Sequence, residues 1–378
     1  MKRSCLVLMI CTALGAICES RGAAAAPLPP ASKAEAAVPS PAPDWHNVTA
    51  WGVEGRAWTE MPRKRWFDRF PAAAEGTVTP AVWSLSRHSA GMMVRFRTDA
   101  TDLWVHYLLY SERLAMFHMP ATGVSGVDLY ARDEQGKWRW VMCSRPENRE
   151  VRQAIITGLT PGLREYALYL PLYNGVESLE IGVPKGAAFT GLAPRARPIV
   201  FYGTSITHGA CASRPGMVYT AILGRRLDCP VVNLGFSGNG RMDAAVGELM
   251  AKIDAAAYVI DCMPNTGATL ARQKCAPLVR ILRAGRPATP IVLVEDRRVT
   301  NEWIRPQSQR SHTENHAALR EIYESLQREG VQKLYYIPGD GMLGDDAEGA
   351  TDGSHPSDLG FLRQADAFMS VLQKALRP

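Results

Sequence analysis

The feature that most constrains the fold is a series of five short apolar runs in the second half of the chain, separated by segments of helical pattern. A strand that is apolar along its whole length is typical of a parallel sheet, because helices cover both faces of such a sheet. The runs lie at residues 198–202, 230–234, 257–261, 290–294 and 334–337, and the helical segments near 217–228, 243–253, 269–284, 311–329 and 357–376. Five β–α units within about 180 residues predict a three-layer α/β/α domain, flavodoxin-like in size, with a five-stranded parallel sheet.

Residues 45–190 show a different pattern, in which apolar and polar residues alternate over short segments. Alternation with period two is typical of strands that bury one face. The segments are residues 91–97, 103–109, 127–131, 138–142, 165–170 and 178–183. They predict an antiparallel β-sandwich ahead of the second domain, residues 195–378. The aromatic residues Trp45, Tyr130, Trp138 and Trp140 either stack on sugar rings or fill the sandwich, and alternation favours core filling.

The N-terminus has the pattern of a secretory signal peptide. Lys2 and Arg3 precede an apolar run at residues 5–17, and small residues follow at 22–26. The run is short for a permanent anchor across ~30 Å of hydrocarbon, although an uncleaved anchor is the alternative. We expect residues 1–26 to be removed and residues 27–44, rich in Pro, Ala and Ser, to form an extended linker. The mature protein is then expected to be secreted or periplasmic, without stable membrane insertion.

The charge of the chain limits the classes of possible partner, and its cysteine count bears on disulfide pairing. The formal net charge is +6 over 378 residues. No run of five or more Lys and Arg occurs, so a nucleic-acid partner is not expected. An odd number of cysteines follows the signal peptide, which leaves at least one free thiol in an oxidising compartment. These are Cys143, Cys211, Cys229, Cys262 and Cys275. Sequence alone does not assign their pairing.

Polar residues follow three of the predicted parallel strands, and another pair lies after the fifth. Ser205 follows the first strand in GTSIT, Gly238 the second in GFSGNG, and Asn265 the third in CMPN. Asp352 and His355 lie in DGSHP. Because the carboxyl ends of parallel strands meet at one edge of the sheet, we expect these residues to lie close together.

These four blocks, in this order, resemble the four motifs of the SGNH (GDSL-like) hydrolases over residues 197–378. Residues 126–130, GVDLY, resemble the GxDLY signature of the β-domain that precedes the hydrolase domain in one secreted branch of the family. Thr204 stands where the family usually has an aspartate, and Ile206 where it usually has a leucine. The resemblance implies an SGNH domain at 195–378 and a GxDLY-type β-sandwich at 45–190.

The chemistry of the four blocks suggests a role for each residue. Serine needs an adjacent base to act as a nucleophile at neutral pH. His355 is the candidate base for Ser205, and Asp352 can orient the imidazole through its Nδ1–H. The Ser205 N–H, the Gly238 N–H and the Asn265 side-chain amide would then form an oxyanion hole. This mechanism needs no cofactor and no metal.

Several alternatives remain open at the level of sequence. His208 is a second candidate base, Asn265 could cap the helix that follows it, and Gly238 could be a turn residue only. His312 and His316 have a zinc-compatible spacing without a third ligand, so a solvated helical turn is favoured. Residues 295–298, EDRR, either shape a substrate cleft or form a surface ion-pair cluster.

The function expected is that of an SGNH-type serine hydrolase acting on carboxylic ester bonds. The resemblance, secretion and the accessory domain imply removal of short acyl groups, acetyl above all, from a carbohydrate or glycan. An acylated carbohydrate or another small ester is the expected partner. The alternatives are a peptidoglycan O-acetyl or lipid ester hydrolase, and a catalytically inactive carbohydrate-binding protein. The last rests on Thr204 alone.

Overall fold

A computed structural model describes residues 42–377. The predicted signal peptide and most of the predicted linker lie outside these residues. The strands are β1 (Asp44–Asn47), β2 (Met93–Thr98), β3 (Leu103–Leu109), β4 (Asp128–Arg132), β5 (Trp138–Cys143), β6 (Glu150–Ile156), β7 (Arg164–Tyr169), β8 (Val176–Val183), β9 (Phe189–Leu192), β10 (Ile199–Gly203), β11 (Val231–Gly235), β12 (Ala257–Asp261), β13 (Ile291–Val294) and β14 (Leu334–Ile337). The α-helices are α1 (Pro80–Ser86), α2 (Ala121–Val124), α3 (Ser205–His208), α4 (Tyr219–Arg226), α5 (Ala244–Met250), α6 (Met263–Gly285), α7 (Pro306–Arg328) and α8 (Asp358–Ala375).

The second half of the chain forms a five-stranded parallel sheet in the order β11-β10-β12-β13-β14. Alternate strand residues face opposite sides, so Val200 and Tyr202 pack in one buried cluster and Ile199 and Phe201 in another. Side chains of α5, α6 and α7 cover the first face, and those of α4 and α8 cover the second. The predicted three-layer, flavodoxin-like fold is confirmed. The strand order puts β10, which precedes Ser205, between β11 and β12.

The first half of the chain forms two antiparallel sheets, in the orders β1-β8-β3-β6 and β5-β4-β7-β2-β9. Their inward residues share one apolar core, which confirms the predicted sandwich. The sequence pattern did not indicate β1, β6 and β9. In β6 only Val151 and Ile155 are buried, so the apolar signal of that strand is weak.

The aromatic residues of β5 do not fill the sandwich, and the expectation of core filling was wrong for them. Trp140 is half exposed, and its Nε1–H donates to Asp128 Oδ1 over 2.9 Å. The Trp138 ring lies under the guanidinium of Arg132, and the Trp140 ring under that of Arg214. The Trp140 ring therefore lies at the surface of the sheet, whereas the Trp138 ring also packs against a buried apolar cluster outside the sandwich core that includes Tyr130 and Tyr169.

The GxDLY segment contacts the loop ahead of α4. Asp128 is fully buried and accepts hydrogen bonds from Arg214 and from the Gly216 N–H, both over 2.8 Å. The Tyr130 hydroxyl is 2.5 Å from Arg214. This motif therefore joins the sandwich sheet to the layer of helices.

Among residues 42–377, no helix is long and apolar enough to cross a membrane. The five cysteines after the predicted signal peptide are all free thiols.

Candidate active site

Ser205 is the first residue of α3 and is separated from the end of β10 by one residue. Thr204 precedes the helix as its N-cap, and its hydroxyl accepts a hydrogen bond from the Ile206 N–H over 3.3 Å. Threonine is a good N-cap residue because its oxygen satisfies a backbone donor that has no partner within the helix. Thr204 therefore orders the turn at the position where the family usually has an aspartate. The hypothesis of a catalytically inactive protein rested on Thr204 and therefore loses its support.

The structure brings the predicted serine, histidine and aspartate together in one chain of hydrogen bonds. Ser205 Oγ lies 2.7 Å from His355 Nε2, and His355 Nδ1 lies 2.7 Å from Asp352 Oδ2. The Asp352 Oδ1 atom accepts hydrogen bonds from the Ser354 N–H (3.0 Å) and the His355 N–H (2.7 Å). The three-residue spacing thus lets one turn hold both the ring and the carboxylate that faces it.

The protonation state of this pair follows from the environment of Asp352. Partial burial by itself would raise the pKa of the carboxyl, but hydrogen bonds from the backbone and ring of His355 and from the Ser354 N–H lower it to about 2. The carboxylate is therefore ionised at neutral pH and can only accept hydrogen bonds. The His355 proton then resides on Nδ1, which leaves Nε2 free to accept the proton of the Ser205 hydroxyl.

Two backbone donors lie on the loops that follow β10 and β11. The Ser205 N–H is at the first position of α3, where an N–H has no partner within the helix. Gly238 is exposed and has a φ of +69°, in the left-handed region that glycine adopts without strain. Within residues 42–377 the Gly238 N–H donates no backbone hydrogen bond.

Asn265 lies in a separate first turn of α6. Gly267, with φ +62° and ψ +178°, breaks the helix after this turn. The helix beyond the break is capped by Asn315 of α7, whose Oδ1 accepts from the Ala268 N–H over 2.8 Å. Asn265 does not cap the helix, and its Oδ1 is buried without a partner among the described residues. Its Nδ2 group, the hydrogen-bond donor of the side chain, lies in the turn that follows the carboxyl end of β12.

His208, the alternative base, is directed elsewhere. Its ring stacks on Tyr173 with centroids 4.1 Å apart, and its Nε2 lies 3.4 Å from His88 Nδ1. Burial, followed by the charge of Arg69 and by His88, holds the pKa of His208 well below its usual value. The neutral imidazole of His208 is enclosed between Tyr173 and His88, and the Ser205 hydroxyl bonds to His355 instead.

Residues 295–298 fit neither interpretation offered by the sequence, since the first three are buried rather than part of a cleft or a surface ion-pair cluster. Arg297 pairs with Asp296 and donates two hydrogen bonds, of 3.1 and 2.9 Å, to the carbonyl of Ser354. Glu295 accepts a 2.7 Å hydrogen bond from the Gly339 N–H. This segment braces the loop that carries His355, a role that sequence reasoning missed.

The same network explains His312 and His316, for which a solvated turn was the wrong expectation. Both are buried. His312 Nδ1 lies 2.8 Å from Glu302 Oε2, and His316 Nε2 lies 2.5 Å from the Asp296 carbonyl oxygen. Each of these histidines therefore uses a ring nitrogen in a hydrogen bond within the chain.

One group of three donor side chains with metal-ligand chemistry occurs in residues 42–377. It consists of Cys211, Asp352 and His355, whose donor atoms lie within 4.8 Å of one another. Asp352 bonds to His355, and His355 also bonds to Ser205, so the group coincides with the serine–histidine–aspartate arrangement.

Comparisons with known proteins agree with this arrangement. The model of the GDSL-like Lipase/Acylhydrolase family matches residues 196–373. A second model, described as the N-terminus of Esterase_SGNH_hydro-type and named GxDLY, matches residues 43–189. The search of curated proteins finds no significant match.

Solved structures share the whole described architecture. A protein described as a GDSL-like lipase, from Bacteroides ovatus, is 32% identical with a TM-score of 0.83, covering 88% of this chain and 98% of its own. Two more distant structures show the fold alone. The salicylyl-acyltransferase SsfX3 of a tetracycline biosynthetic pathway is 18% identical, with a TM-score of 0.69 and coverage of 89% and 98%. The acetyl xylan esterase Est2A from Butyrivibrio proteoclasticus is 11% identical, with a TM-score of 0.53 and coverage of 88% and 98%.

Proposed function

This chain belongs to the GDSL-like lipase/acylhydrolase family and is a serine ester hydrolase, and we propose that it removes short acyl groups, acetyl above all, from a carbohydrate. The observation that carries the catalytic part is the pair of 2.7 Å contacts that link Ser205 to His355 and His355 to Asp352. The carbohydrate part draws support from the acetyl xylan esterase, which has the same two-part architecture.

The first half of the reaction transfers the acyl group to the enzyme. As Ser205 Oγ attacks the ester carbonyl, its proton moves to His355 Nε2, and the ring becomes an imidazolium. Asp352, ionised and fixed by two backbone N–H groups, stabilises that positive charge and keeps the ring in place. His355 then gives the proton to the oxygen of the departing alcohol, and an acyl-serine remains.

The attack converts the carbonyl oxygen into an oxyanion, which needs fixed donors. The Ser205 N–H, the Gly238 N–H and the Asn265 amide come from three adjacent strand ends, and together they supply three such donors. In the second half of the reaction a water molecule attacks the acyl-serine, with His355 acting as base, and the free acid leaves.

The same proposal places the mature protein outside the cytoplasm. It is supported by the basic, apolar and small-residue pattern of residues 1–26, which lie outside the described part of the chain. Mass spectrometry of the N-terminus of the protein purified from its native host tests it: a mature chain that still begins at Met1 would contradict cleavage.

Hydrolysis of acetylated xylo-oligosaccharides and of 4-nitrophenyl esters of increasing acyl length tests the activity. We expect turnover of both substrate types, with acetate preferred over esters of eight or more carbons. Ser205→Ala sets the background rate. A wild-type rate no faster than this background would overturn the enzymatic assignment, and a preference for long chains would overturn the short-acyl assignment.

A further inference from the structure

A two-residue hairpin reaches from the sandwich region to the catalytic histidine. Met116 and Met119 exchange two backbone hydrogen bonds of 3.0 and 3.1 Å, which puts Phe117 and His118 at the tip. The centroid of the His118 ring is 6.3 Å from that of His355. The Phe117 ring lies 4.4 Å from the His118 ring, and the Phe117 side chain is 97% exposed.

Contacts with the hydrolase layer fix the position of this tip. Met119 is buried in the same apolar cluster as Ile206, the residue after the nucleophile. Just beyond the hairpin, the Thr122 hydroxyl donates to the Ser213 carbonyl over 2.7 Å. The backbone at Gly123 packs so closely on the Ala212 carbonyl that a side chain there would collide with it. The tip is therefore held beside the catalytic loop.

Within residues 42–377, the Phe117 ring lacks apolar cover and one ring nitrogen of His118 lacks a hydrogen-bond partner. Phe117 exposes nearly its whole ring to solvent, in contrast to the buried phenylalanines of the core. His118 Nδ1 is buried and has no hydrogen-bond partner. Buried polar atoms normally have a partner, so an orphaned one beside a catalytic histidine indicates a place for a ligand group.

The neighbourhood also sets the state of the His118 ring. Partial burial, followed by the neighbouring His355, lowers the pKa of His118 below its usual value. A neutral imidazole carries one donor nitrogen and one acceptor nitrogen. It can therefore bond to a hydroxyl group, which is itself both donor and acceptor.

The mechanism decides which part of the substrate lies here. His355 must deliver its proton to the oxygen of the leaving alcohol, so the alcohol lies next to the His355 ring, whereas the carbonyl oxygen faces the donors of Gly238 and Asn265. We propose that Phe117 and His118 form the subsite for the alcohol part of the ester, a sugar ring. The Phe117 ring stacks on the apolar C–H face of the sugar, and His118 bonds to one of its hydroxyl groups. This subsite rests on the proposed function.

The test compares esters that share an acetyl group but differ in the alcohol. For wild type and variants, kcat/KM is measured on an acetylated xylo-oligosaccharide and on methyl acetate, and the value for the sugar ester is divided by the value for methyl acetate. We expect Phe117→Ala and His118→Ala each to lower this ratio about five- to tenfold, the effect of one lost stacking or hydrogen-bond contact. His118→Gln should recover part of the loss, because an amide also donates and accepts. Leu163→Ala, which truncates another exposed apolar side chain, is the matched control and should leave the ratio unchanged.

Three outcomes would overturn the inference. If wild type deacetylates the sugar but neither alanine variant changes the ratio, the tip does not contact the alcohol. If the variants instead change the preference between acetate and butyrate esters of one alcohol, the tip lines the acyl side. If wild type hydrolyses simple acetates but no acetylated sugar, the carbohydrate part of the proposed function fails first, and this subsite fails with it.

Discussion

Alanine substitutions at Asn265 and Gly238 test the oxyanion hole, because only the first removes a hydrogen-bond donor. Asn265→Ala deletes the side-chain amide, while the turn stays held by the backbone hydrogen bond from residue 265 to the Cys262 carbonyl, 3.0 Å long. The loss of one such donor typically lowers kcat by about 10²–10³, or about 2.7–4 kcal/mol of transition-state stabilisation. We expect a decrease of this size in kcat, with KM and the free energy of unfolding little changed.

Gly238→Ala keeps the backbone N–H and changes only the conformational preference of the loop. At φ +69° a residue with a Cβ is disfavoured by about 1–2 kcal/mol. A Cβ at this position would meet no atom within 4 Å, so no collision adds to this strain. We therefore expect the cost to show in the free energy of unfolding, with kcat reduced less than about tenfold because the donor is retained.

Steady-state kinetics on 4-nitrophenyl acetate and urea unfolding of both variants separate these effects. Equal large decreases in kcat would show that the loop geometry at Gly238 matters as much as the Asn265 amide. A decrease of less than about tenfold for Asn265→Ala would show that the assignment of a side-chain donor is wrong. A decrease in kcat/KM that lies entirely in KM for Asn265→Ala would also refute it, because an oxyanion donor acts on the transition state.

Two further expectations concern buried carboxyl groups. Burial, only partly offset by the hydroxyl of Tyr219, raises the pKa of Asp261 to about 6. Because this carboxyl group ionises at lower pH in the unfolded chain, the free energy of unfolding of wild type should fall as the pH rises from about 4 to 6. The free energy of unfolding of Asp261→Asn relative to wild type, measured with urea, should therefore rise by about 3 kcal/mol between pH 4 and 7. A difference independent of pH would contradict this. Asp128→Ala should lower the free energy of unfolding by about 3 kcal/mol because Arg214 loses its buried partner. Asp366→Ala, which breaks a mostly exposed pair with Arg226, should cost less than about 1 kcal/mol. Equal effects of the two substitutions would show that the GxDLY carboxylate does not join the two layers.

The residues around Ser205 could be predicted from the sequence because each lies within four residues of the end of a strand. The positions of Ser205, Gly238 and Asn265 are set by the chain next to them, and a run of apolar residues marks where each strand ends. Arg297 and His118 could not be found in this way. Arg297 acts on Ser354, 57 residues further along the chain, and His118 lies in a hairpin with no periodic pattern. Their roles depend on contacts between distant segments, which no local pattern encodes.

Residues of the sandwich region help to hold the nucleophile Ser205 and the neighbouring strand end in place. Arg69, from the segment ahead of α1, is fully buried and donates to the carbonyls of Asn233 (3.0 Å) and Gly235 (2.8 Å) at the end of β11. From the same region, the Tyr173 hydroxyl donates to the Ser205 carbonyl over 3.3 Å. Among the described residues, carbonyl groups rather than a carboxylate satisfy the Arg69 guanidinium.

A buried charge without its hydrogen-bond partners is strongly destabilising. Arg69 also bonds to the carbonyls of Leu85 and His88, so its acceptors come from both halves of the chain. Neither half alone can satisfy the guanidinium, which favours folding of the two halves together. The described residues, 42–377, accordingly lie in one compact unit. The strand end that leads into the Gly238 loop is therefore fixed by a side chain from the first half of the protein.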